Sequence, residues 1–182
     1  MRWSKPLVFV SVVSMVANLC ACSAVLRNRA ETELAAALIS DEDEVKLGLQ
    51  VQDELKKQNV KYMDDAQVVQ YVQSVSAKLF PSAEKERPGV KWQVQVIDDP
   101  KTVNAFATPG GFLYVYSGLI TAASNEAELA GVMGHEIGHV VARHSARALV
   151  GQYGLKAVTD MALGDKPSMV AQVAAQLAGQ GA

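Results

Sequence analysis

Residues 125–148 read NEAELAGVMGHEIGHVVARHSARA, and the rest of the chain is interpreted outward from them. Asn125 with Glu128 three positions later fits a capping box, which starts a helix by satisfying free backbone N–H groups. The spacing predicts one helix over residues 126–148. Residues 127–142 are uncharged apart from Glu128 and Glu136, which predicts a buried helix. Gly131, Gly134 and Gly138 each cost about 1 kcal/mol of helix propensity relative to Ala. Close approach of another element or of substrate is the expected compensation.

All three histidines of the chain fall in this stretch: His135, His139 and His144. Residues four apart share a helix face, so His135 and His139 can bring both imidazoles to one ion. Two neutral imidazoles leave a zinc site open for a third protein ligand and a water. Glu136 lies on the same side, positioned to accept a proton as the metal acidifies that water. The competing reading, a surface helix with chance spacing, fits poorly with the uncharged flanks Val132, Met133, Ile137, Val140 and Val141. On a continuous helix His144 stands half a turn from His135, so a solvated or packing role is expected for it and for Arg143. Ala142 and Ser145 replace the Gly and His that an extended metzincin pattern needs.

Upstream, Asp41-Glu42-Asp43-Glu44 opens a helix to about residue 59, with acids complementing the helix dipole. A second helix starts near Asp64-Asp65 and carries Val68, Val72, Val75 and Leu79 at helical spacing. Pro81 and Pro88-Gly89 are expected to bracket a charged loop. The period then changes: Val90, Trp92, Val94 and Val96 alternate with polar residues, as in a half-buried strand. Residues 103–107 and 112–116 are two more strand candidates around the turn Thr108-Pro109-Gly110-Gly111. Short connections predict a sheet that is mostly antiparallel. Beyond Gly154 the helical pattern is weak and is broken at residues 164–167. The fold class is therefore α+β.

The chain has 182 residues, 49% apolar, with 17 basic against 19 acidic residues. This suits one globular domain behind a short leader, and no basic stripe suggests nucleic-acid binding. Arg2 and Lys5 precede the apolar run 6–19, the pattern of a secretory signal peptide. The run is shorter than the roughly 20 residues of a spanning helix. An uncleaved anchor helix is the alternative. Leu19-Cys20-Ala21-Cys22 resembles a bacterial lipobox with Cys22 as the lipidated residue; an ordinary signal peptide with an incidental Cys is the other reading. Acyl chains on Cys22 would anchor the chain to a membrane. Ser23 after it resembles the sorting pattern of outer-membrane lipoproteins. The expected organisation is a leader over 1–21, a tether over 22–40 and a domain over 41–182.

Gly48, Trp92, Asp98-Asp99, Asn104-Ala105-Phe106-Ala107, Pro109-Gly110-Gly111, Gly118-Leu119, Glu126 to Ala130 and His135-Glu136-Ile137-Gly138-His139 occur in one order. In this combination the chain resembles the M48 family of metallopeptidases, in its bacterial periplasmic lipoprotein branch. The resemblance spans residues 40–148. It implies a zincin-like fold, a small antiparallel sheet packed on the HExxH helix, and N-terminal helices. It further implies one zinc ion held by His135 and His139, with Glu136 as the catalytic base and acid. Protein or peptide substrates, outer-membrane proteins among them, are the implied partners. The implied location is the periplasm at the outer membrane. A substrate strand is expected to add beside the active-site helix, with residues 112–116 as the candidate edge.

The resemblance also implies a third ligand, a Glu on a later helix. No Glu follows Glu136, and the only later acids are Asp160 and Asp165. The sequence reads as ending before that helix arrives. Three readings stay open: a zinc endopeptidase given incompletely, an inactive envelope lipoprotein acting as a binding or assembly module, and a structural lipoprotein with a vestigial motif.

Overall fold

The computed structural model describes residues 37–179 together with Ala30 and Leu34. The expected leader, Cys22 and most of the tether lie outside the described residues. Helix α1 (Asp41–Lys57) starts where the Ser40 side chain accepts from the Asp43 N–H at 3.1 Å. Helix α2 (Ala66–Glu86) is capped by Asp65, whose carboxylate accepts from Gln67 N–H at 2.8 Å. It runs straight through Pro81, where a loop was expected. A proline inside a helix costs about 3 kcal/mol. Burial of Val72, Val75 and Ala83 along the same helix offsets that cost.

Strands β1 (Gln93–Ile97), β2 (Ala105–Thr108) and β3 (Phe112–Tyr116) form one sheet in the order β1-β3-β2. The β2–β3 pair is the expected antiparallel hairpin, with Phe106 opposite Tyr114. The β1–β3 pair departs from expectation and is parallel, with Gln95 opposite Tyr114. The reason is the path of the chain: after β1 it passes over to the far side of the sheet, and β3 then returns between the other two. β3 is thus the central strand and not an edge, and all five of its residues are buried. Their period-2 alternation feeds two cores. Phe112, Tyr114 and Tyr116 join Leu47, Val51 and Leu55 of α1; Leu113 and Val115 join Val72 of α2. Full burial of a large apolar side chain contributes about 1.5–3 kcal/mol, so this strand stabilises both layers at once.

A short helix α3 (Ser117–Ala122) leads into α4 (Glu126–Val141). The cap of α4 is close to the expected box. Asn125 Oδ1 accepts from Glu128 N–H at 3.1 Å, while the Glu128 carboxylate accepts from the N–H of Ser124, one residue earlier than the motif prescribes, at 2.7 Å. α4 does not continue to residue 148. It stops at Ala142, Arg143 turns left-handed (φ 57°), and a new helix α5 (His144–Tyr153) begins. Helices α6 (Leu155–Ala162) and α7 (Pro167–Gly179) follow, and α7 packs on α1 and β2. No helix among the described residues is long and apolar enough to cross a membrane.

Candidate metal centre

α4 buries a single face, made by Leu129, Met133, Ile137 and Val140 against β2, β3 and α2. It is not the fully buried helix expected. A Cβ placed on Gly131, Gly134 or Gly138 would meet nothing within 4 Å, so the expected close approach is absent among the described residues. The helix period nevertheless places the motif as anticipated. His135, Glu136 and His139 bring their ligand atoms within 4.8 Å of one another, the single group of three among the described residues able to hold a metal ion. The two imidazoles meet edge to face, with Nε2 of His135 3.1 Å from Nε2 of His139.

That spacing fits a shared ion. Two nitrogens at about 2.0–2.1 Å from a tetrahedral zinc stand roughly 3.3 Å apart. His135 and His139 would hold the metal through Nε2, and the metal would supply an acidified water beside Glu136. Burial pushes the Glu136 carboxyl above its ordinary range, opposed by the nearby rings of His139 and His135. No further His, Cys, Asp or Glu among the described residues joins the cluster. Asp160 instead pairs with Lys156 at 3.0 Å on α6.

The cluster opens on a cavity of about 380 Å³, whose walls include Asn104, Ala107, Pro109, Glu136, His139 and Leu177. One wall is the free edge of β2. Tyr116 N–H donates to the Asn104 carbonyl at 3.0 Å. By antiparallel alternation Phe106 and Thr108 also bond to β3, while Ala105 and Ala107 turn their N–H and C=O groups outward. Residues 112–116 are therefore not the edge expected; β2 is an end strand of the sheet, and all four of its residues are buried. A proline at the central Tyr114 would disrupt the sheet itself. Ala107→Pro removes only an outward N–H. It is expected to keep the circular dichroism of the wild type and to weaken binding of an extended peptide about tenfold, measured by fluorescence anisotropy.

Two features escaped sequence reading. Glu44 on α1, 2% exposed, is the hub of an ion-pair network, with Arg87 Nη2 at 3.3 Å and Arg143 Nε at 2.7 Å. His144, brought round by the turn at Arg143, places Nδ1 2.5 Å from Nδ1 of His139. An acid in a first turn next to apolar residues gave no signal of burial, and the helix break has no Gly or Pro to mark it.

An α+β scaffold that presents His-Glu-His from one helix beside an end strand carries the motif of the metallopeptidase class. The chain matches the profile of Peptidase family M48 over residues 66–179, more than half its length, and it belongs to that family. It is 46% identical over 61 residues to the mitochondrial metalloendopeptidase OMA1 of Arabidopsis thaliana, covering 34% of this chain and 12% of that protein. It is 34% identical over 123 residues to the putative beta-barrel assembly-enhancing protease of Vibrio cholerae, covering 68% of this chain and 24% of that protein. The Escherichia coli beta-barrel assembly-enhancing protease is 36% identical over 90 residues, half of this chain and 18% of its own. The chain thus spans a quarter or less of the length of these curated relatives. It carries the M48 metalloprotease motif and lacks the expected third zinc ligand among its described residues.

Proposed function

We propose that this chain is an M48-type module that holds extended protein segments along β2, and that its described residues supply one ligand fewer than the hydrolytic site needs. The observation that carries this reading is the cluster itself: two imidazoles and Glu136 beside the end strand β2, with no further ligand residue joining them among the described residues. Two imidazoles bind zinc weakly compared with a closed set of three protein ligands. The outward groups of Ala105 and Ala107 recognise backbone, so the partner class is unfolded or extended protein. The relatives' name, beta-barrel assembly-enhancing protease, makes β-barrel chains in assembly the partners proposed here. The lipobox at Cys22 supports a periplasmic location with an outer-membrane anchor.

A second reading is a zinc endopeptidase of envelope proteins, with His135 and His139 as ligands and Glu136 as general base. The 3.1 Å Nε2 separation and the half-buried Glu136 favour it. Zinc titration and casein cleavage by the full chain and by Glu136→Gln separate the two. On the first reading both proteins bind labelled extended peptide equally and neither cleaves casein. One-to-one tight zinc with cleavage that falls about 100-fold or more in Glu136→Gln would overturn it in favour of the second.

A further inference from the structure

We propose that His144 is a positioning residue for His139, and that the pairing of part-buried Arg143 with buried Glu44 holds the turn that seats it there. The inference rests on the reading of His139 as a metal-holding residue.

A histidine that binds a metal through one nitrogen commonly donates its other N–H to a fixed acceptor, which selects the tautomer and the ring orientation. His139 has its Nε2 toward His135 at 3.1 Å and its Nδ1 toward His144 Nδ1 at 2.5 Å. Only one proton arrangement leaves Nε2 of His139 with its lone pair free for an ion. His139 Nδ1–H donates to the lone pair on His144 Nδ1, and His144 carries its proton on Nε2. The rings of His139 and His144 stand 4.8 Å apart at 53°, close enough for this bond to fix the ring plane.

The contact exists only because α4 breaks. On a continuous helix residues 139 and 144 lie five positions apart, about 140° round the axis. Arg143 adopts φ 57° and ψ 32°, a conformation costly for a residue with a Cβ. Its side chain repays this by bonding Glu44 at 2.7 Å and the Ile39 carbonyl. Arg87, held by Asp41 and Glu44, donates to the Val140 carbonyl at 2.9 Å and ties down the last turn of α4. Residues from α1 and from the end of α2 thereby set where His144 stands.

The test reads the tautomer of His139 in the metal-free full chain by long-range ¹⁵N–¹³C NMR at alkaline pH, then cobalt and zinc affinity by competition titration. The expected wild-type state is His139 protonated on Nδ1. His144→Ala should shift it toward the Nε2–H form and weaken metal binding about 10–100-fold. His144→Asn, whose side-chain carbonyl can accept the same proton, should restore both. A wild-type His139 protonated on Nε2, or an unchanged tautomer and affinity in a folded His144→Ala, would overturn the proposal. Neither readout requires peptide binding or cleavage, so the result stands apart from that of the proposed function.

Discussion

Glu44→Ala is expected to destabilise the fold by about 3–5 kcal/mol, the range for removing one partner of a buried ion pair. The cost comes from what is left behind. The Arg87 guanidinium is 9% exposed in its side chain and would keep only Asp41, at 2.5 Å, and the Val140 carbonyl. Arg143 would keep only the Ile39 carbonyl among its bonds to the N-terminal segment. Arg87 would remain desolvated with one of its three partners gone, and the part-buried Arg143 would lose its carboxylate. The strained turn at Arg143 would lose its main support at the same time. For a domain of this length the midpoint of thermal unfolding should fall by roughly 10 °C, at about 2–4 °C per kcal/mol. Calorimetry of wild type and variant checks it. A loss under about 1 kcal/mol would mean that the network is solvated and holds nothing. Glu44→Gln keeps the shape and two hydrogen-bonding atoms, and should fall between the two.

Gly48→Ala should cost about 2–3 kcal/mol net, although alanine is the better helix former. The Cβ would stand 2.2 Å from the Pro109 carbonyl oxygen and 2.6 Å from the Phe112 ring. The first is backbone in a tight turn, and the second is a ring 1% exposed in the core. Neither can yield cheaply, so α1 must move off the sheet, a shift that exceeds the roughly 1 kcal/mol gained in propensity. Gly110, at φ 82°, seats the same turn against Val45, one helical turn earlier on α1. Displacing α1 would therefore tilt the β2–β3 hairpin and with it the free edge at Ala105 and Ala107. Urea denaturation should show a lower midpoint with an unchanged slope. Peptide binding should weaken together with it. A variant as stable as wild type would show that the helix and the turn are not in van der Waals contact.

Much of the site was legible because it is local. The i and i+4 spacing of His135 and His139, and the cap at Asn125, depend only on helix geometry and on side chains within one or two turns. The hairpin was legible from Pro109-Gly110-Gly111, whose glycines both take positive φ. The α+β class followed from the switch between helical period and alternation near residue 90. The continuity of residues 126–148 was not legible. Ala142 and Arg143 are good helix residues, and only the partners of Arg143, Ile39 and Glu44, about a hundred positions away, hold the chain in the left-handed turn. The edge strand was misplaced for a related reason. Phe112–Tyr116 is the more apolar of the two hairpin strands because it is central, and centrality depends on β1 arriving beside it in parallel.

What the sequence alone determined was the chemistry: which side chains can meet an ion, which carboxylate stands beside them, and the family in which that order of motifs recurs. Local periodicity and turn propensity suffice for that. What only the tertiary structure decided was the surroundings: the exposed face of α4, the place of β2 at the end of the sheet, the buried hub at Glu44 and the meeting of His139 with His144. Each depends on contacts between residues far apart in the chain. Packing and desolvation, not local propensity, select among the backbone paths that the sequence leaves open.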